Sequence, residues 1–238
     1  MAIIFSIEGN VGSGKSTLVK NLKHYLKKQY LNYNVIYLQE PVDVWSSIKD
    51  EHGNTILKKF YENQKKYAFS FQMMAYISRL SQIKNIIYKN PNTIVICERS
   101  VWTDKNVFAK MLFNDRKIEE INYKIYNMWF DEFVKEYTLS GIFYVKTDPK
   151  KCHERVNIRN REGENIPIEY LESCNLYHEN WLLNTNKKVI TLNGNIEFIN
   201  NIPTEWIDKI EAMIKTSIPN TSKNIDDINT IITSVQCC

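Results

Sequence analysis

Nearly unbroken apolar runs recur along the chain at residues 3–7, 35–39, 93–97, 142–146 and 189–192. A run without polar alternation predicts a strand covered on both faces, as in a parallel sheet. Between these runs the period changes. Leu18, Leu22, Tyr25 and Leu26 follow Lys15 at spacings that share one helix face. Residues 54–89 contain no proline, and Gly53 is the only glycine near them, which predicts a long helical stretch. Strands alternating with helices predict right-handed crossovers and an α/β fold, here a five-stranded parallel sheet flanked by helices. Ligands of such sheets bind at the carboxyl ends of the strands. The pattern holds over residues 1–216. From Ser217 the chain turns polar and rich in Asn, Ser and Thr, so residues 217–238 are expected to form a flexible tail with a short amphipathic end at 228–235.

The first predicted strand runs directly into Gly9, Asn10, Val11, Gly12, Ser13, Gly14, Lys15, Ser16 and Thr17, and a predicted helix follows. This is G-x-x-x-x-G-K-[ST] in the strand–loop–helix setting that the motif requires. Glycines let successive backbone N–H groups converge on an anion, and the helix N-terminus adds positive potential. Lys15 is expected to reach the β- and γ-phosphates, and Ser16 to ligate Mg²⁺. The motif argues for a P-loop fold that binds a nucleotide, here expected to be ATP. It says nothing of the acceptor, because GTPases, motors and kinases share it.

Strand ends supply the next candidates. Glu40 follows the second predicted strand, before Pro41, Val42 and Trp45. Transfer of a phosphoryl group to a hydroxyl needs a carboxylate that aligns the hydroxyl and takes its proton. On position alone, that role and an ordinary acidic turn residue stand level. Glu98 and Arg99 close the third strand, where a carboxylate can help hold Mg²⁺ and a guanidinium can hold the acceptor or the transferring group. Arg155 and Arg159 share a helix face four residues apart, with Arg161 and Gly163 beyond them. A basic helix is usually a solvated surface. With a phosphate loop in the same chain it reads instead as an arginine-rich lid over the phosphates. Gln72, Ala75 and Arg79 share one face of the predicted helix, an unlikely composition for pure core. An amide there can bond a nucleobase edge, while Phe71, Phe108 and Trp45 are candidates for stacking against it or walling it. Each aromatic alone would be read as core.

Composition narrows the classes. The chain has 238 residues, 43% of them hydrophobic, enough for a sizeable core. Its 31 Lys+Arg against 27 Asp+Glu give a net +4, too small an excess for a nucleic-acid-coating protein. The N-terminus lacks a basic segment before a long apolar run, and no stretch approaches the ~20 apolar residues that span a bilayer. A cytoplasmic protein with no membrane and no nucleic-acid partner is expected. The five cysteines show no metal-ligand spacing and read as reduced thiols, with Cys237-Cys238 an unmodified end.

These residues occur in an order that resembles a known family. Residues 7–17 are followed by Glu40-Pro41-Val42 with Trp45, by Phe69-Ser70-Phe71-Gln72, by Glu98-Arg99-Ser100-Val101, and by Arg155 to Arg161. Ile166-Pro167-Ile168-Glu169-Tyr170-Leu171 and His178-Glu179-Asn180-Trp181 complete the series. The chain from about residue 2 to 217 resembles the deoxynucleoside kinases, the group with the deoxycytidine, deoxyguanosine and mitochondrial thymidine kinases. The resemblance implies that Glu40 is the base, that Arg99 lies near the 5′-hydroxyl, and that Gln72 reads the nucleobase. It implies that Tyr61 and Glu164 hold the 3′-hydroxyl, that Arg155, Arg159 and Arg161 form the lid, and that Glu197-Phe198 lies near the adenine of ATP. It also implies a homodimer built through helices packed face to face. Arg79 and Asp104 match a charged pair of the deoxycytidine- and deoxyguanosine-type members, where thymidine-accepting members have apolar residues. Deoxycytidine or purine deoxynucleosides are therefore expected as substrates rather than thymidine. The segment between Arg161 and Pro167 is slightly shorter than in many members, which bears on Glu164.

Two other functions compete with a nucleoside kinase. A thymidylate-type nucleoside monophosphate kinase would need a cationic acceptor site and no general base. A non-catalytic nucleotide-binding switch would need neither Glu40 nor an acceptor.

Overall fold

Strand β1 (Ile3–Glu8) is buried along its whole length. Its apolar side chains alternate between two cores, as the twofold period of a strand requires. In the computed structural model, which describes residues 2–26, 28–161, 163–199 and 201–219, β1 is central to a twisted sheet. Helix α1 (Lys15–Tyr25) follows, then β2 (Gln29–Tyr30) and β3 (Tyr33–Leu38). Short helices α2 (Val42–Ser47) and α3 (Ile56–Glu62) lead into the long α4 (Gln64–Lys89) and β4 (Thr93–Glu98). A continuous helical run comes next. It comprises α5 (Val101–Thr103), a π-helical segment (Asp104–Ala109) and α6 (Lys110–Asn114). Then come α7 (Glu120–Phe133), β5 (Leu139–Lys146), α8 (Pro149–Arg159), α9 (Ile168–Leu183), β6 (Val189–Asn193) and α10 (Thr204–Ser217).

The sheet order is β2-β3-β4-β1-β5-β6. The five parallel strands expected from the apolar runs are all present, paired as β3·β4, β4·β1, β1·β5 and β5·β6. The two-residue β2 adds an antiparallel edge to β3, too short to leave a periodic signal in the sequence. β5 begins three residues before the expected run, because Ser140 and Gly141 interrupt the apolar pattern; the pairing with β1 resumes at Gly141 after a shift of register that skips Ser140. The stretch 54–89 is divided at Asn63. Thr55 caps α3 by accepting from the Lys58 N–H, and Asn63 caps α4 by accepting from the Lys66 N–H.

One face of the sheet is covered by α1 and α10. Phe5, Ile7, Ile94, Ile96 and Phe143 meet Leu18 and Leu22 on one side and Trp206, Ile210 and Met213 on the other. The opposite face places Ile4, Val95 and Ile142 against Ile83 of α4 and Trp181 of α9. Ser217, expected to open the tail, instead closes α10, and Ile218 is buried against the first core. The amphipathic end at 228–235 and the Cys237-Cys238 pair lie outside the described residues. Cys97, Cys152 and Cys174 are buried free thiols. Among the described residues no helix is long and apolar enough to cross a membrane.

Beyond the carboxyl ends of β1, β3 and β4 a further apolar cluster, including Trp45, Leu57, Phe60, Phe71 and Leu112, walls a cleft above the sheet.

Candidate active site

The phosphate loop leaves β1 at Gly9 and enters α1 at Lys15. At Gly12, φ is +80° and an added Cβ would lie 2.4 Å from the Cys152 carbonyl oxygen, so α8 can pack on the loop only at glycine. Asn10 steadies the loop twice: its Oδ1 accepts from the Val11 N–H at 2.8 Å, and its Nδ2 donates to the Leu171 carbonyl of α9 at 2.8 Å. Lys15 Nζ donates to the Asn10 carbonyl at 2.6 Å. Burial, with Arg99 nearby, pushes the Lys15 ammonium down to about 8 against the pull of Glu40 and Glu98. Ser16 Oγ donates to Glu98 Oε1 at 2.5 Å. The two residues expected to hold Mg²⁺ are therefore together, although 82 positions apart. Among the described residues no cluster of three or more His, Cys, Asp or Glu forms a metal cage. A hydroxyl and one carboxylate beside a phosphate loop are a hard oxygen set suited to a cation that shares its remaining positions with phosphates and water.

Opposite the loop lies a network of buried charge. Glu40 Oε1 accepts from Arg79 Nη2 at 2.6 Å and from Arg99 Nη1 at 3.2 Å. Arg79 continues through Nε to both Asp104 oxygens, at 3.2 and 3.1 Å, and through Nη1 to the Glu98 carbonyl at 3.2 Å. Arg99 Nη2 donates to the Gly9 carbonyl at 3.1 Å, and its guanidinium lies 4.7 Å from the centre of the Phe108 ring. Burial alone would raise the Glu40 carboxyl, but Arg99, Arg79 and Lys15 outweigh it and hold the group well below the usual carboxylate range. Burial pushes Asp104 up to about 6, against Arg79 and Arg99 and with help from Glu40 and Glu8. Arg99 itself sits at φ +63°, a left-handed backbone uncommon for a non-glycine residue.

These groups line a cavity of about 640 Å³. Of the phosphate-loop residues expected at the site, Val11, Gly12, Gly14, Lys15, Ser16 and Thr17 reach its wall. Gly9, Asn10 and Ser13 do not, and shape the loop from behind. The acceptor half brings together Glu40, Trp45, Tyr61, Phe71, Gln72, Arg79, Arg99, Asp104 and Phe108, all expected there. Trp45 is fixed by a bond from its Nε1 to Ser78 Oγ at 2.9 Å, and Phe71 stacks on Phe60 at 4.5 Å. Gln72 is buried and lines the cavity. Its Oε1 has no partner among the described residues, an open acceptor for a ligand's donor.

The lid arginines divide. Arg159 Nη2 meets Glu164 Oε2 at 2.5 Å and Arg161 Nη1 meets Glu164 Oε1 at 3.8 Å. Glu164 thus reaches the cavity beside Tyr61, whose hydroxyl is driven up by burial and by the Glu164 charge. Arg155 also lines the cavity, with its guanidinium bonded to neighbouring carbonyls. It donates to the Gly194 carbonyl at 2.9 Å, the Ile196 carbonyl at 3.2 Å, Glu197 Oε1 at 3.3 Å and the Ser13 carbonyl at 3.4 Å, pinning the turn after β6 to the phosphate loop. Phe198 packs against Trp206 at 4.9 Å and forms cavity wall on the donor side. Phe60, Tyr170 and Lys151 also line the cavity and were not singled out from the sequence. Tyr170 could have been found from its place in the 166–171 motif. Phe60 and Lys151 carried no signal, since only tertiary packing turns them to the cleft.

A phosphate loop facing a buried carboxylate–guanidinium cluster across one cleft defines a P-loop phosphotransferase whose acceptor is a small molecule. The deoxynucleoside kinase family pattern matches residues 5–231. A deoxycytidine kinase 2 of Gallus gallus is 33% identical, over 96% of this chain and 90% of the relative. A probable deoxycytidine kinase of fowlpox virus (strain NVSL) is 35% identical, over 82% and 80%. A mitochondrial deoxyguanosine kinase of Xenopus laevis is 27% identical, over 94% and 86%. The chain belongs to the deoxynucleoside kinase family and is an ATP-dependent nucleoside kinase. The comparisons favour neither the monophosphate kinase nor the switch alternative. The match also runs past residue 217, into the segment expected to be a tail.

Proposed function

We propose that this kinase transfers the γ-phosphoryl group of ATP to the 5′-hydroxyl of deoxycytidine or a purine deoxynucleoside, and discriminates against thymidine. The Arg79–Asp104 pair carries the reading. Its groups lie 3.1–3.2 Å apart, nearly fully buried, on the wall of the acceptor half. A pair so placed can bond the polar edge of a base. It cannot move aside for a 5-methyl group without leaving a buried charge unpaired. Gln72 would read the base edge, with Phe71, Phe108 and Trp45 enclosing the ring. Tyr61 and Glu164 would hold the 3′-hydroxyl.

Glu40 orients the 5′-hydroxyl and accepts its proton as the oxygen attacks phosphorus. A carboxylate held so far below its ordinary range is a weak base, so most of its contribution is alignment of the nucleophile. Arg99 fixes Glu40 and stands beside the transferring group. Lys15 and the backbone of residues 9–17 hold the donor phosphates, while Arg159 and Arg161 offset the charge that develops on them. Ser16 and Glu98 are the residues that would hold Mg²⁺, which when bound offsets phosphate charge. Arg155 serves the donor site by holding the 194–197 turn, and Glu197-Phe198 borders the donor base.

A homodimer fits the surface of α7. Ile121, Ile125, Met128, Trp129 and Phe133 form one apolar stripe on that helix, with Ile121 and Met128 each 65% exposed. A cytoplasmic setting is part of the same proposal, as is a compact kinase domain ending near residue 216. The test is a panel of deoxycytidine, deoxyadenosine, deoxyguanosine, thymidine and thymidine monophosphate with ATP and Mg²⁺. Turnover is expected on deoxycytidine and the purine deoxynucleosides above thymidine. Turnover confined to thymidine monophosphate would overturn the assignment.

A further inference from the structure

Glu8 is fully buried at the end of β1, yet it lies outside the cavity wall. Among the described residues no cation is in direct contact with it. Both carboxylate oxygens are instead met by hydroxyls: Ser100 Oγ donates to Oε1 at 2.6 Å, and Thr103 Oγ1 donates to Oε2. Each hydroxyl forgoes its usual local partner. Ser100 is the N-cap of α5 but makes no side-chain capping bond, and Thr103, inside the helical run, reaches across to β1. The backbone on either side of Glu8 holds Arg99: the Arg99 N–H donates to the Ile7 carbonyl at 2.9 Å, and its guanidinium donates to the Gly9 carbonyl. Immediately after Thr103 comes the π-helical segment that carries Asp104 and Phe108 into the acceptor pocket. One carboxylate therefore ties down the start of the segment bearing three acceptor-side groups.

We propose that Glu8, acting through Ser100 and Thr103, is a positioning residue for the acceptor half of the site. It fixes the left-handed turn at Arg99 and the register of Asp104 and Phe108 without touching substrate. A buried carboxylate without a contacting cation is expensive to keep. Its retention here is matched by two charge-assisted hydrogen bonds that cross from sheet to helix. The inference rests on the acceptor roles proposed above for Arg99 and Asp104.

Substitution at Thr103 tests it best, because Glu8 adjoins the phosphate loop and changing it would disturb both half-sites. Thr103→Val keeps the shape and removes the hydroxyl. With deoxycytidine as the probe, kcat/KM for the nucleoside is expected to fall by up to ~100-fold while KM for ATP stays within about twofold. Thr103→Ser, which restores the hydroxyl, is expected to recover most of the loss. A purely structural role would lower the unfolding temperature and leave both parameters per folded molecule alike. Unchanged acceptor kinetics in Thr103→Val, equal losses for nucleoside and ATP, or no recovery in Thr103→Ser would overturn the proposal. If Thr103→Val does not fold, Ser100→Ala, which removes the other donor, is held to the same split. Asp104→Ala separates the two levels. No change in nucleoside KM there sinks the acceptor assignment itself, whereas a change there with none at Thr103 sinks only the role of Glu8.

Discussion

Lys15 and Asp104 change charge near neutral pH, and each makes a separate expectation. The free enzyme releases the Lys15 proton near pH 8, below the ordinary lysine value, because burial and Arg99 disfavour its charge. Polyphosphate binding favours the charged form, so binding above pH 8 must take up a proton. KM for ATP is therefore expected to rise roughly tenfold per pH unit above that point, and calorimetry in buffers of differing ionisation enthalpy should register the uptake. Asp104 runs the other way. As pH falls through about 6 it gains a proton, and with the charge of the Arg79 pair lost it is expected to stop excluding a methyl group. The ratio of thymidine to deoxycytidine turnover is expected to climb between pH 7.5 and 5.5, measured against the same panel. Arg79→Met with Asp104→Ala should raise that ratio at every pH. Total turnover should fall as well, because Arg79 also bonds Glu40 at 2.6 Å. A constant ratio in the double variant would refute the pocket reading. The double duty of Arg79 was not legible in the sequence, which placed it on the face of Gln72 and Ala75 but gave no sign of a partner 39 residues away. The strand-end rule located Glu40, Glu98 and Arg99, because the parallel sheet dictates where chain ends meet.

At the scale of elements, the lid depends on the turn at Gly163. Its φ is +74°, and an added Cβ would meet Lys58 Cα of α3 at 3.0 Å. The turn that carries Arg161 and Glu164 therefore rests on the helix that carries Tyr61. Gly163→Ala is expected to cost about 1–2 kcal/mol in backbone strain alone and to raise KM for both substrates, since the displaced turn holds groups for each. Equal kinetics in that variant would mean the lid does not depend on α3. The lid helix was readable from the i, i+4 arginines. The diversion of Arg155 to the 194–197 turn was not, because its partners are carbonyls on a loop without periodic pattern. The same holds for the π-helical segment at 104–109, which leaves no periodic mark on the sequence. Strands were legible from their apolar runs, both in β1 and β4, which are buried throughout, and in β3 and β6, which are only partly buried. β2 escaped notice because two residues have no period.

The molecule as a whole is a sheet with helices on both faces and a cleft at its carboxyl edge, where donor and acceptor halves meet. The apolar stripe on α7 lies on a separate surface. Trp129→Glu should shift the sedimenting species from dimer to monomer while leaving the fold intact, and an unchanged species would remove α7 from the interface. Glu40 must face both the acceptor hydroxyl and the phosphate loop, a placement on which the transfer depends. This requirement is tested most directly by the turnover of Glu40→Gln with deoxycytidine, ATP and Mg²⁺. The expected result is a folded protein whose kcat is lower by at least ~100-fold, and near wild-type turnover would contradict the mechanism.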